Sequence, residues 1–350
     1  MKKFIFSVLS AFAIFISIYL LFVFPFDILN SWKGRESYNY TYTFVSTLII
    51  FIIVRIYFSS KITFMPLRIL VCEGIGIGFI SLNLVCLIIL SDLFLIIDGT
   101  TKINLFLISL AALLIIAYCS TSFIKIRTIR IRSDKVQKER NIVFISDIHL
   151  GSNSINHLKK IINKINFIKP EIILIGGDLI DSSSFKLEKL NILEEIKVPI
   201  YYVTGNHEYY LKNSKEKIDK LKEFNINVLD NSSKDLEDIN LVGISDNLNI
   251  EAQKEIFYSK KIKKAFNLCL VHKPSLWKSI KDECDLMLSG HTHNGQIFPF
   301  NFLVSIQFKE KYGLYNFKRS YLYVSSGSGT WGPKLRLGSF NEVVSILISP

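Results

Sequence analysis

Apolar and polar positions divide the chain into two regimes that meet near residue 140. Before that point four stretches carry no Asp, Glu, Lys, Arg or His: Phe4 to Phe26, Ser37 to Val54, Gly74 to Ser91 and Ile103 to Ile124. A bilayer core ~30 Å thick takes about 20 such residues as helix, because each unpaired backbone group in lipid costs several kcal/mol. Four transmembrane helices are therefore expected within residues 1–124. A cleavable signal peptide is the rival reading of the first stretch, but no small-residue cleavage site follows Leu21 and three more spans come after it.

From Asn141 onward, short β-rich runs alternate with amphipathic stretches, the pattern of an α/β domain over residues 141–350. Strands are expected at Asn141 to Ser146, Glu171 to Ile175, Pro199 to Thr204, Ile239 to Gly243, Asn267 to Val271 and Asp285 to Leu288. Helices fit between them at Ile155 to Phe167, Phe185 to Ile196, Ser214 to Phe224, Ala252 to Ala265 and Ser275 to Ile280. Residues 125–140, which open with Lys125-Ile-Arg-Thr-Ile-Arg-Ile-Arg132, read as a basic juxtamembrane stalk able to lie against anionic headgroups.

Charge adds an orientation. Residues 1–140 hold 15 Lys/Arg against 7 Asp/Glu, and residues 141–350 hold 27 against 23. A nucleic-acid binder concentrates basic charge on its working domain, so no nucleic-acid partner is expected and a lipid bilayer is. Near the span ends, Lys2, Lys3, Arg55, Lys61, Arg68, Lys125, Arg127, Arg130 and Arg132 fall on one side, against Lys33, Arg35 and Lys102 on the other. That bias places the protein in the cell membrane as a multi-pass chain, with both termini and the C-terminal domain on the cytoplasmic face. Glu73, beside Gly74, Gly76 and Gly78, invites reading as a transport site. Its place one turn from the inner end of the span, within reach of Arg68 or Lys61, and the helix-packing spacing of Gly74 and Gly78 favour a structural role. Of five cysteines, Cys72, Cys86 and Cys119 lie in apolar stretches and only Cys269 and Cys284 lie in the soluble half, without disulfide or zinc spacing.

The residues just beyond each expected strand are the informative ones. Asp147-Ile-His149 comes after the first, Gly176-Gly-Asp178 after the second and Gly205-Asn206-His207-Glu208 after the third; His272 and then Gly290-His291-Thr-His293 come after later ones. Ligands of open α/β sheets bind at the carboxyl ends of strands, so these residues, far apart in sequence, should converge. Carboxylates, imidazoles and one carboxamide without a thiolate suit Mn, Fe, Zn or similar divalent cations. Asp147 and His149 sit two apart, as do His291 and His293, so each pair is expected to point the same way from an extended segment. Five of the six histidines belong to this set, and only His157 lies elsewhere, on an expected helix surface.

The series DIH, GGD, GNHE, a later His and GHTH, in that order, resembles the calcineurin-like metallophosphoesterase family over about residues 141–350. GHTHNGQIFPF and the tail SSGSGTWGPKLRLGSFNEV resemble a bacterial, membrane-attached branch of it. The resemblance implies a four-layer αββα sandwich with two central sheets and a dinuclear metal centre at their top edge. Matched residue by residue, it implies that Asp147, His149, Asp178 and His293 hold one metal ion, and that Asp178, Asn206, His272 and His291 hold the other. It further implies that His207 is the non-ligand histidine that contacts phosphate and helps protonate the leaving group. The position after His293 is usually glycine in the related branch and is Asn294 here.

The function so implied is a membrane-anchored phosphoesterase, favoured as a phosphodiesterase on a substrate that can be lipid-linked, acting through attack of a metal-bridging hydroxide. Two alternatives stay open: a non-catalytic metal-binding membrane sensor, and the accessory domain of a transporter. A nuclease would need a basic groove on the second half, where the excess of Lys/Arg over Asp/Glu is only 4.

Overall fold

In the computed structural model, residues 2–34, 39–59 and 65–350 are described; Arg35, Ser37 and Lys61, which enter the second span and the charge bias, lie outside them. The chain forms two compact units. One comprises Met1–Cys119 with Gly332–Leu335, and the other Ser120–Trp331 with Arg336–Pro350.

The first unit is built from α1 (Lys2–Ile18), α2 (Phe24–Trp32), α3 (Tyr40–Ser59), α4 (Met65–Ser91) and most of α5 (Gly99–Ser122). A five-residue π-helical segment, Tyr19–Val23, joins α1 to α2. Among the described residues, four helical stretches, Phe6–Trp32, Tyr40–Phe58, Pro66–Ser91 and Gly99–Ser122, are long and apolar enough to cross a membrane. Helix α4 packs closely on the first span: a Cβ at Gly74 would strike the Phe22 ring, and one at Gly78 would strike the Leu21 carbonyl. The two glycines thus serve helix packing, as their spacing suggests. Helix α4 begins well before the expected third span, so Arg68 and Glu73 are helical. Glu73 accepts a hydrogen bond from the Lys334 backbone N–H at 3.0 Å within this unit.

The second unit holds two six-stranded sheets. The first runs β1 (Ile124–Arg132), β12 (Asn341–Ser349), β2 (Arg140–Ile145), β3 (Ile172–Gly176), β4 (Ile200–Val203) and β5 (Ile226–Val228) across its width. The second runs β10 (Gly313–Phe317), β11 (Ser320–Val324), β9 (Leu286–Ser289), β8 (Phe266–Val271), β7 (Ile239–Ile244) and β6 (Ser232–Leu236). Strands β2 to β5 are parallel, as are β7, β8, β9 and β11.

Alternation of side chains along these strands accounts for the layers. On β2, Ile142 and Phe144 enter a core shared with Leu241, Leu268 and Leu288 of the second sheet, while Val143 and Ile145 enter another with Leu158, Ile161 and Ile165. Those last three lie on helix α6 (Ile155–Ile168). On β8, Leu268 and Leu270 face the first sheet, while Cys269 and Val271 pack with Phe257, Trp277 and Ile280. These belong to α9 (Ile250–Lys260) and α10 (Trp277–Ile280). Helix, sheet, sheet and helix stack as the expected four layers, and the short helices α7 (Asn206–Tyr210) and α8 (Ser214–Lys220) cap the strand ends. A last helix, α11 (Phe300–Gln307), comes after the GHTH motif.

All six expected strands are present. The structure differs at residues 125–140, expected to form a stalk, because that segment contains β1, paired in parallel with β12 along its whole length. Isoleucine alternating with Arg or Lys is an edge-strand pattern: Ile129 and Ile131 are buried between the sheets, while Lys125, Arg127 and Arg130 stay exposed and guard the edge against further pairing. The second compact unit, which begins at Ser120, therefore includes β1. Strands β5, β6, β10, β11 and β12 were not foreseen, and residues 187–195 form a 3₁₀ turn where a helix was expected.

Ile131→Ala should accordingly destabilise the full-length protein by about 2–5 kcal/mol, the range for truncating a buried isoleucine, whereas Arg130→Ala should be neutral. Thermal unfolding in detergent checks this, and equal stability of the two variants would contradict a core role for β1.

Candidate metal centre

Sheet ends converge because β2, β3, β4, β8 and β9 all present their carboxyl ends at one edge of the sandwich. Asp147 and His149 follow β2, Asp178 follows β3, Asn206 follows β4, His272 follows β8, and His291 and His293 follow β9. All the expected ligands but Asn206 fall into overlapping groups whose candidate ligand atoms lie within 4.8 Å of one another: Asp147 with His149 and His293, His149 with Asp178 and His207, and Asp178 with His272 and His291. Asp178 and His149 each belong to two of these groups.

Donor atoms face one another across short gaps. His149 Nε2 lies 3.2 Å from His293 Nε2, and His272 Nε2 lies 3.1 Å from His291 Nδ1. Asp178 Oδ2 lies 3.2 Å from His272 Nε2 and 3.8 Å from His149 Nε2, while Asp147 Oδ1 lies 3.5 Å from His293 Nε2. His272 Nδ1 donates to the Gly176 carbonyl at 2.8 Å, which turns Nε2 and its lone pair inward. Asn206 completes the set differently, since its Oδ1 is buried without a hydrogen-bond partner among the described residues. A buried amide oxygen left so is costly unless something electropositive meets it. Facing imidazole nitrogens, clustered carboxylates and an orphaned amide oxygen fit divalent-cation binding.

The side chains' own electrostatics point the same way. Burial would raise the Asp178 carboxyl, but neighbouring His272, His149 and His207 hold it well below the usual range. Burial would lower His272, but the Asp178 carboxylate lifts it to about 10. Burial and the charge on His272 push His291 down to about 3, burial and His149 push His293 far down, and burial raises Asp147 to about 6.

Local backbone is unusual. Asp147, His149, Asp178, His291 and His293 all have positive φ, between 49° and 72°. Neither Asp-x-His nor His-x-His is the extended segment that its spacing predicts. Left-handed backbone costs a non-glycine residue about 1–3 kcal/mol, and here hydrogen bonds hold it: His149 N–H to Asp178 O at 2.9 Å, Asp147 N–H to Gly177 O at 3.1 Å. Asn294 shares this conformation at φ 51°, which explains why glycine suits the position and why asparagine, tolerant of it, can replace glycine. Gly205 and Gly290 are required by close approach, because a Cβ on either would collide with the carboxylates of Asp178 and Asp147 respectively.

His207 is half-buried, its ring 4.8 Å from that of His149 and flanked by Trp331 at 5.6 Å and Tyr210 at 5.5 Å. Burial lowers its pKa, and its backbone N–H donates to Asp178 Oδ1 at 2.9 Å. His157 is not a bare surface residue: its Nε2 meets the Ser328 carbonyl at 2.6 Å, outside the ligand set.

Three supporting residues escaped sequence reasoning. Glu208 accepts from the N–H groups of Gly205, Asp178 and Ile180 at 2.9, 3.1 and 3.0 Å, tying the second and third motifs together, with its carboxyl raised to about 7 by burial and the Asp178 charge. Its place three residues after Gly205, at the start of a helix, was the available signal. Asp181 lies 3.6 Å from His149 Nδ1 and also accepts from Ser152. Arg336, wholly buried, donates to the carbonyls of Ser326 at 2.6 Å, Gly329 at 2.7 Å and His293 at 3.3 Å, and nothing in its sequence context marked it.

Residues 140–295 match the family model described as calcineurin-like phosphoesterase. An uncharacterized metallophosphoesterase of Campylobacter jejuni is 38% identical over 234 residues, covering 63% of this chain and 62% of that protein. One of Helicobacter pylori is 35% identical over 241 residues, covering 65% and 64%. A zebrafish transmembrane protein with a metallophosphoesterase domain is 31% identical over 252 residues, covering 64% and 57%. The matches span somewhat under two thirds of the length of each of these relatives.

Replacing Glu208 by Gln removes acceptor capacity from three buried N–H groups, and stranding even one costs about 1–3 kcal/mol. Thermal unfolding of Glu208→Gln should fall by several degrees relative to the parent; an unchanged midpoint would show that the carboxylate does not join the two loops.

Proposed function

We propose that this chain, whose residues 140–295 match the model described as calcineurin-like phosphoesterase, is a membrane-anchored, metal-dependent phosphoesterase that cleaves a phosphodiester, with lipid-linked esters as the favoured substrates. The observation that carries this reading is Asp178, common to two of the ligand groups at one sheet edge. Asp147, His149, Asp178 and His293 would hold one ion, and Asp178, Asn206, His272 and His291 the other. When bound, such ions supply Lewis-acid chemistry, drawing charge from phosphate oxygens and making water acidic enough to attack near neutral pH.

The rest falls to the protein. His207 faces the reacting phosphate and passes a proton to the departing oxygen. Tyr210 and Trp331, packed edge-on against its ring, hold the imidazole in place and shield it from water. Glu208 and Arg336 fix the loops that carry Asp178 and His293, so the ligands need little reorganisation. A diester is favoured by the cations nearby: Arg336 is committed to carbonyls and Lys273 to Asp246 at 2.6 Å, leaving neither for the second charge of a monoester. The four apolar helices support anchoring, and tethering raises the local concentration of a membrane-borne substrate. The Lys/Arg bias at the span ends supports a cytoplasmic catalytic domain.

Chelation should abolish hydrolysis of bis(p-nitrophenyl) phosphate and Mn²⁺ should restore it, with lower turnover on p-nitrophenyl phosphate. His207→Ala should lower kcat by about 10²–10⁴, the usual worth of a positioned acid, while keeping its metal, whereas Asp178→Asn should lose both metal and activity. Elemental analysis beside the kinetics decides: equal metal loss in the two variants would refute the division of roles.

A further inference from the structure

The edge that carries the metal centre also carries a run of exposed apolar side chains. None of the residues of α11 is buried; Phe302, Leu303 and Ile306 are 61, 55 and 82% exposed. Phe298, Trp331 and Tyr210 stand exposed nearby on the segments that frame His207 and the GHTH turn. Yet α11 is not loosely attached. Its Asn301 backbone closes on Gly295 so tightly that a Cβ there would clash, Phe308 at its end packs on His291 with ring centroids 5.4 Å apart, and Lys311 Nζ donates to Asn301 O at 3.1 Å and Ser305 Oγ at 2.7 Å. The helix is thus held through its backbone, Ser305 and its end, while Phe302, Leu303 and Ile306 are left bare, a pattern that marks an interaction surface.

Strand register identifies what covers it. Ile124 of β1 pairs with Asn341, and Val344 of the same β12 pairs with Phe144 of β2, three residues before Asp147. The beginning of β1 therefore lies at the edge where the metal ligands gather. Helix α5 ends at Ser122, so a single residue, Phe123, separates the fourth apolar helix from that edge. The exposed cations Lys125 and Arg127 sit just beyond, suited to anionic headgroups.

We propose that this edge, with the apolar face of α11 outermost, docks on the bilayer that holds the four spans and seats the metal centre at headgroup level. The occupant is lipid rather than another protein, since the covalent path into the membrane leaves from the same edge. A substrate whose phosphorus lies in the headgroup layer would then reach the site without leaving the membrane. The inference rests on the membrane reading of the four spans and not on hydrolysis.

The test is photo-crosslinking of the full-length chain in phosphatidylcholine–phosphatidylglycerol vesicles, with p-benzoylphenylalanine replacing Phe302, Ile306 or, as control, Arg319. Arg319 is 92% exposed in the β10–β11 turn, at the opposite end of the strands. Mass spectrometry should find phospholipid adducts at 302 and 306 severalfold above those at 319, unchanged in an Asp178→Asn background, which separates docking from catalysis. Adducts to a second copy of the chain, no lipid adduct at 302 and 306, or equal yields at all three positions would each overturn the proposal.

Discussion

A carboxylate buried among imidazoles, that of Asp178, is the interaction on which the site depends. It lies within 4 Å of His272 and His149, receives the His207 backbone N–H, and its own N–H is held by Glu208. Such a group is expensive to bury unless positive charge meets it from several sides. Every neighbouring motif is arranged to supply that charge or to hold the groups that do. The cost recurs in the backbone, where five candidate ligands adopt left-handed conformations that only a dense hydrogen-bond frame sustains. Sandwich and site are thus one structure: two sheets give the rigid edge, and the strained turns beyond it aim the ligands inward.

The cluster of candidate ligands was legible because its chemistry stands at strand ends, and a parallel strand buried on both faces announces itself as an apolar run. Ile173 and Leu174, or Cys269 and Leu270, are such runs, and Asp178 and His272 come shortly after them. Strand β1 was misread for a related reason. Its isoleucines alternate with cations directly after a membrane span, and period-two alternation beside a positive-inside signal satisfies both a stalk and an edge strand. Only the pairing with β12, more than 200 residues later, decides between them. Strands β5, β6 and β10 are short or half-exposed, so they carry little periodic signal.

Supporting residues were hidden more deeply. Glu208 and Arg336 act through backbone groups, which leave little trace in side-chain patterning beyond the helix-start position of Glu208. Arg336 is wholly buried although arginine is among the residues least often found so, and its carbonyl partners lie on two separate segments, at His293 and over Ser326 to Gly329. Helix α11 was missed because its apolar run, FNFLVSIQ, is only eight residues long. Taken with the register of β1, that same helix suggests that the edge of the sandwich bearing the metal centre is also its membrane-facing edge, which would join anchoring to catalysis in one arrangement.

Two cations held close together by a shared carboxylate are the centre of the proposed chemistry. Electron paramagnetic resonance of the full-length chain loaded with two equivalents of Mn²⁺ tests this most directly. A magnetically coupled pair, replaced by weak or uncoupled signals when Asp178 is changed to Asn, is the predicted result. The six-line spectrum of isolated Mn²⁺ in the parent protein would contradict it.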